Sequence, residues 1–439
     1  MTQTEYLKLS LGFLLTMITT PLLGLVDTAM MGHLDDPAYI GGVAVGALVF
    51  STLYWLFGFL RVSTIAFTAQ ALGNGCKEEL VWAVLRPIAI SLVVSGVFVI
   101  FQIPILESFL FFIKPEEHVA LLARQYFYVL IWGAPFVLVS YVCTGWLMGL
   151  TKLRVTLIMQ IFINAFNLLL TFLFVMVFKW GVYGVASATL IAQIVLCLVS
   201  VWAVWHYGEI DLKHITMRNL FDKSAFRKIM IINGDLMVRT ICLLIMTNLF
   251  TATGAKLGTE MLAANAILFQ LQYLIGNFID GFANASSVVS GQALGKKDIA
   301  LYKTGIKLSI RWAVIMIVVL TVFYLLFDKN IIRLFTKMDN VIALADRYSF
   351  WMAIYPLSYA FNTVFYGILN GVTWSDPVRN STVAALGCFL FGIWFLVPLW
   401  GNDGLWASFT LFNCCRSLYL SYVIHTAGDR PFEVVTSIH

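Results

Sequence analysis

Ala69-Gln70-Ala71-Leu72-Gly73 returns as Gly291-Gln292-Ala293-Leu294-Gly295, at an offset of 292 − 70 = 222 residues. The same offset carries Leu147-Met148-Gly149-Leu150-Thr151 onto Leu369-Asn370-Gly371-Val372-Thr373, since 371 − 149 = 222. Gly181-Val182-Tyr183-Gly184 matches Gly401-Asn402-Asp403-Gly404 at 401 − 181 = 220. Three matches in register make the chain two related halves, and each match sits at the edge of a long apolar run.

Those runs dominate the composition. Of the 439 residues 60% are hydrophobic and 12% charged, and mean hydropathy is +0.88. A soluble domain carries roughly 25% charged residues, so the solvent for this much apolar surface is lipid. Twelve runs are long enough to cross a bilayer as helices, at about 7–34, 40–72, 81–106, 119–148, 155–178, 183–206, 228–256, 260–294, 301–327, 341–370, 379–399 and 403–426. Barrel strands would alternate with period two over about ten residues, and no such pattern occurs. The first run holds Asp27, is about twenty-five residues long and has no small-x-small cleavage site after it, so it reads as a permanent span. The fold class is an all-α integral membrane protein of twelve transmembrane helices.

Lys and Arg fall unevenly between the spans. Loops after even-numbered spans hold twelve of them, among them Lys152, Arg154, Arg227, Lys296 and Lys297, against six after odd-numbered spans. By the positive-inside rule both termini are cytoplasmic. Each half has an even number of spans, so the second half enters from the same face and the repeat is parallel, with its pseudo-two-fold axis normal to the membrane. The expected organisation is an N-terminal lobe over 1–206, a cytoplasmic loop over 207–227 and a C-terminal lobe over 228–439. Two such lobes enclose a central cavity and can rock to alternate its exposure. They suffice for a functional monomer.

Within this frame Asp27 stands out. A bare carboxylate inside an apolar span is costly and persists where a partner, a proton or water accommodates it. It lies six residues after Pro21 and three after Gly24, in a helix those residues weaken. Its counterpart in the second half is Phe250, because 250 − 27 = 223 is also the offset between Leu34 and Leu257. The carboxylate is thus an addition to one lobe of a duplicated helix, as expected for an ion-coupling site. The alternative is an acid hydrogen-bonded to a neighbouring helix for packing.

Pro21-Leu-Leu-Gly-Leu-Val-Asp27-Thr-Ala-Met-Met-Gly-His33-Leu resembles the first helix of the multidrug and toxic compound extrusion (MATE) family, and within it the DinF-type branch. Supporting pieces are Gly41-Gly-Val-Ala-Val-Gly46, Phe59-Leu-Arg61-Val-Ser-Thr64, Ala69-Gln70-Ala71, Asp280-Gly281-Phe-Ala and Gly291-Gln292-Ala293, which span both halves. The resemblance implies a twelve-helix antiporter of the bacterial inner membrane. It would export drug-like, often cationic compounds in exchange for protons or sodium, with Asp27 as the coupling residue of the N-terminal lobe. Family members often carry Asn and, four residues on, Asp on the fifth helix. Here Asn167 fits the Asn and Thr171 stands in the place of the Asp, while Asn164 and Thr189 complete a polar pocket. With one carboxylate, sodium would depend on neutral oxygens, whereas a lone desolvated carboxyl readily holds a proton near neutral pH. Proton coupling is therefore the expectation, through helix bending at Pro21 and Gly24 or through direct competition between proton and substrate.

Other charges invite two readings each. Arg61 and Asp280, on the repeat-related second and eighth spans, either pair across the lobe interface as a gate or are satisfied within their own lobes. Asp235 and Arg239 are four apart and share one helix face, which favours an intrahelical ion pair. The alternative makes Asp235 a second charged site of the C-terminal lobe, or Arg239 a partner of Asp280. Arg86, Arg311 and Arg416 read as helix-end or interlobe charges. Met30, Met31, Phe166 and Phe250, with Met148, Met159 and Phe162, are candidates for an adaptable apolar wall suited to flat or cationic substrates, though core packing explains such residues equally well.

Several functions are disfavoured. The seven cysteines are an odd number lying mostly in apolar runs, so they form neither a disulfide framework nor a metal site. No basic face supports nucleic-acid binding. The six histidines lie at or near span ends, and no HExxH or GxSxG motif supports an enzyme, so no cofactor is expected beyond the coupling ion. A lipid-linked precursor flippase would be expected to place several Arg or Lys in its cavity, and the first helix offers only an acid.

Overall fold

A computed structural model describes residues 1–31, 37–208, 222–336, 338–427, 430 and 432. The side chains of residues 18–31, 37, 38, 40 and 329 are outside that description. Pro21, Gly24, Asp27, Met30 and Met31 are therefore placed by their backbone, in the helix Gln3–Met31, and their side chains lie outside the described residues.

Among the described residues there is no strand, and twelve helical stretches follow one another. After Gln3–Met31 come Pro37–Leu56 with Phe59–Asn74, Lys77–Ile100 with the short Gln102–Ile113, and Glu117–Leu130 with Ala134–Gly149. Leu153–Phe172 and Gly181–Gly208 complete the first half. The second half holds Lys223–Lys256, Thr259–Gly295, Ile299–Phe335, Asp339–Arg347 with Ser349–Gly371, Asp376–Trp400 and Asn402–Ala427. Nine of the described stretches carry an apolar window long enough to cross a membrane.

Five spans expected as continuous are interrupted; in the third and tenth the break is a single-residue turn, at Phe101 and Tyr348. The second breaks at Phe57-Gly58, where Gly58 N–H bonds back to the Trp55 carbonyl at 3.1 Å in a tight turn. The fourth tightens to a 3₁₀ turn at Ile131–Gly133, just ahead of Pro135, whose missing N–H suits a new helix start. The fifth widens to a π segment at Leu173–Val177, closed by packing among Phe174, Phe178 and Trp180.

The duplication read from the sequence is also a duplication of contacts. A methyl group added at Gly145 would meet the Arg61 carbonyl oxygen at 2.6 Å, and one at Gly149 would meet Thr68 Cβ at 2.6 Å and the Ile65 carbonyl oxygen at 2.9 Å. Gly367 and Gly371 stand 222 residues on and press on Ala283, Ser287 and Ser290, which are 222 residues beyond Arg61, Ile65 and Thr68. Small residues four apart let helix backbones approach closely, which is how helices pack where lipid removes the hydrophobic drive between them. Backbone geometry repeats as well: Thr151 and Thr373 take φ of 61° and 57°, and Gly75 and Lys297 take 72° and 56°.

By contacts the chain divides into two compact units, Ile18–Met230 and Met1–Met17 with Ile231–His439. In the second unit the start of the first helix is pinned by Tyr6, whose hydroxyl lies 2.8 Å from Ser286 Oγ and donates to Ser309 Oγ at 3.2 Å. Leu14 backbone lies so close to Gly281 that a Cβ there would come within 2.9 Å of it.

Candidate functional site

In the first unit the fifth span presents a polar stripe, Gln160, Asn164, Asn167 and Thr171, spaced four, three and four residues apart on one helix face. Gln160 Nε2 donates to Asn164 Oδ1 at 3.1 Å. Asn167 and Thr171 are 5% and 4% exposed, deep enough that their polar atoms depend on protein partners. Asn167 Nδ2 reaches Thr189 Oγ1 of the sixth span at 3.5 Å, a long and weak hydrogen bond. Asn164, Asn167 and Thr171 thus share one face of the fifth span, and Asn167 reaches Thr189 of the sixth. The structure adds Gln160, which the stripe's helical spacing would have revealed. These groups are amide and hydroxyl dipoles, able to orient a proton-carrying carboxyl or offer neutral oxygens to a cation. Phe166 is half-buried on the same helix and stacks on Phe162 at 6.0 Å, with rings 8° from parallel.

Arg61 and Asp280 each find a partner within their own unit. The Arg61 guanidinium lies over the Tyr141 ring at 5.9 Å, and Asp280 Oδ1 accepts from Tyr359 Oη at 3.1 Å. The intrahelical pair expected of Asp235 and Arg239 is not what the structure holds. Asp235 Oδ1 instead takes Arg379 Nη1 at 2.5 Å, and its Oδ2 takes Ser375 Oγ at 2.6 Å. Two donors at the start of the eleventh span satisfy the carboxylate better than a single i,i+4 partner would. Arg239 is left over the Tyr366 ring at 4.1 Å. Arg416, expected near a helix end or between lobes, is 2% exposed in the middle of Asn402–Ala427.

The second unit also contains a cavity of about 350 Å³ between the seventh and eighth spans. Phe250, a candidate from sequence, lines it together with Phe269, Gln270, Tyr273 and Asn265. Asn265 is fixed by reciprocal amide bonds with Asn402, at 2.7 and 3.0 Å, and accepts from Trp406 Nε1 at 2.9 Å. The sequence signal for it was an amide inside the apolar run Ala263–Phe269. No grouping of three or more His, Cys, Asp or Glu side chains able to hold a metal occurs among the described residues.

Duplicated bundles of apolar helices, each with polar groups buried at mid-span, define a multi-pass membrane protein built from two repeats. The chain belongs to the MatE family, whose profile matches residues 13–173 and again 236–396. It is 34% identical over 415 residues to DNA damage-inducible protein F of Escherichia coli (strain K12), covering 94% of this chain and 90% of that one. It is 22% identical to a probable multidrug resistance protein NorM of Pasteurella multocida (strain Pm70), over 93% and 90% of the two chains. Among solved structures, the Vibrio cholerae MATE transporter VcmN in its bent form superposes with a TM-score of 0.83 at 17% identity, over 98% of both chains. A MOP superfamily transporter from Pyrococcus furiosus superposes at 0.84 with 19% identity, over 97% and 96%. Members of this family are transporters, and two family-profile matches at an offset of 236 − 13 = 223 agree with the repeat of the helix contacts.

Proposed function

We propose that this protein is a proton-coupled secondary antiporter that exports drug-like, cationic or amphiphilic compounds by alternating access. Its setting would be a bacterial plasma membrane, with both termini cytoplasmic and a monomer as the working unit. Asp27 is the coupling group on a helix that bends at Pro21 and Gly24. The observation that carries the reading is the composition of the Asn167 pocket: the buried Asn167 amide and Thr171 hydroxyl with the half-buried Asn164 and Thr189, Thr171 standing where a second carboxylate would favour a metal cation. A lone carboxyl beside neutral dipoles is suited to exchanging one proton.

The test is efflux of a fluorescent cationic dye from proteoliposomes under a pH gradient or a sodium gradient, for wild type and Asp27→Asn. The expected result is pH-driven export by wild type alone. Sodium-driven export would move the coupling to the oxygens of Asn167, Thr171 and Thr189. Normal export by Asp27→Asn under both gradients would make Asp27 a structural residue.

A further inference from the structure

Four mid-membrane elements of the second unit converge on charge. Arg239 sits sixteen residues from Lys223 and seventeen from Lys256 on its helix, about 24 Å from either end at 1.5 Å per residue. Arg416 comes from the twelfth span, Asp280 from the eighth, and Tyr359 and Tyr366 from the tenth. Arg239 and Arg416 are electrostatic neighbours, and Asp280, Arg239 and Arg416 all act on Tyr359. Among the described residues this cluster holds two guanidinium groups and the Asp280 carboxylate, at a depth where unbalanced charge is costly.

Both arginines are held by their faces and left open at an edge. Arg239 lies over Tyr366 at 4.1 Å and Arg416 over Phe412 at 5.6 Å. The Nε of each is buried and has no hydrogen-bond partner among the described residues. Stacking fixes the plane of a guanidinium and leaves its in-plane N–H fork for an acceptor, and the matching acceptor is a carboxylate. Arg239, Asp280, Tyr359 and Tyr366 are half-buried, while Arg416 is buried.

A buried aromatic stack runs from this cluster to the residues of the cavity. Phe250 and Phe269 line the cavity and lie 5.7 and 5.9 Å from Phe409. Phe409 stacks on Tyr355 at 6.0 Å, Tyr355 on Tyr359 at 4.9 Å, and Tyr359 bonds Asp280.

We infer that the C-terminal lobe binds amphiphiles carrying a carboxylate, with Arg239 and Arg416 taking the carboxylate and the half-buried rings of Tyr359 and Tyr366 beside them meeting the aromatic or aliphatic body. This rests on the transport reading and narrows its substrate class to zwitterionic or anionic amphiphiles. The first helix offers an acid, as read from the sequence; the basic groups lie on the seventh and twelfth spans.

The test compares rhodamine B, which has a free carboxylate, with its ethyl ester, which has none, by fluorescence anisotropy on the full-length protein in nanodiscs. Wild type should bind rhodamine B at least about tenfold more tightly, a difference of about 1.4 kcal/mol. Arg239→Gln should bring the ratio of the two affinities close to one, and Arg239→Lys should restore part of it. Arg416→Met should act in the same direction. If that buried substitution prevents folding, the Arg239 pair still decides. Equal affinities in wild type, or a ratio that survives Arg239→Gln, overturns the inference. Gradient-driven efflux of the ester, measured separately, tells a failure of this preference from a failure of transport itself.

Discussion

Thr171 is the residue at which this chain departs most usefully from what its relationship implied. It is buried on the same helix face as Asn167, so a side chain placed there enters the same polar pocket. Thr171→Asp should supply the missing second carboxylate and make efflux respond to a sodium gradient, read in proteoliposomes at fixed pH. No sodium response would argue that the fifth-span face does not form the ion pocket. Asp235 offers a stability counterpart. Its carboxylate is buried beneath Arg379 and Ser375, and Asp235→Ala strands both donors. Breaking a buried pair costs about 3–5 kcal/mol, but Arg379 is 37% exposed and can return to water, so about 1–3 kcal/mol is expected, seen as a lower melting temperature in detergent. The polar stripe of the fifth span was legible because its residue types break an apolar pattern at helical spacing. Arg416 was not, since its surroundings are aromatic rings and charges that lie far away in sequence.

Helix contact, unlike charge pairing, was written locally. Gly145-Gly149 and Gly367-Gly371 are four-residue pairs within matching motifs, and each marks where one helix presses on another. A Cβ at Gly367 would fall 2.1 Å from the Ala283 carbonyl oxygen and 2.8 Å from its carbon, both backbone atoms that cannot rotate away. Gly367→Ala should therefore cost about 1–3 kcal/mol or more and reduce the monodisperse yield on size-exclusion chromatography. Gly145→Ala, against the Arg61 backbone, should do the same to the first unit. Gly96→Ala is the control: nothing lies within 4 Å of its added methyl, and a helical alanine is favoured over glycine by about 1 kcal/mol. The breaks at Phe57-Gly58, Ile131–Gly133 and Leu173–Val177 were harder to read, because each arises where continuous hydropathy hides a change of helix geometry. The start of the seventh span shows a simpler device. Asp222 accepts from Ser224 Oγ at 2.7 Å and Ala225 N at 3.1 Å, and these bonds hold its carboxyl below the usual range. A depressed value means the cap contributes above the unfolded-chain pKa and is lost as pH falls through the folded one.

The first helix is shared between the two units. Residues up to Met17 group with the second unit and those from Ile18 with the first, so Asp27 and Tyr6 sit on one helix but in different bodies. Pro21 lies four residues past that division, where a helix missing one hydrogen bond bends most easily. If movement of the units works on Asp27 by bending this helix, the grip on its far end must matter to coupling. Tyr6 provides that grip: it is fully buried, and its hydroxyl engages Ser286 and Ser309. The two serines also lie 2.8 Å from each other, so Tyr6→Phe leaves them partnered and should cost only about 1 kcal/mol. The expected outcome is a small fall in melting temperature with a clear fall in pH-driven efflux, although Tyr6 is 27 − 6 = 21 residues from Asp27. A matched fall in both, as in a protein that is merely less folded, would place Tyr6 in packing. Wild-type efflux from Tyr6→Phe would mean that the first helix bends without being held at its start.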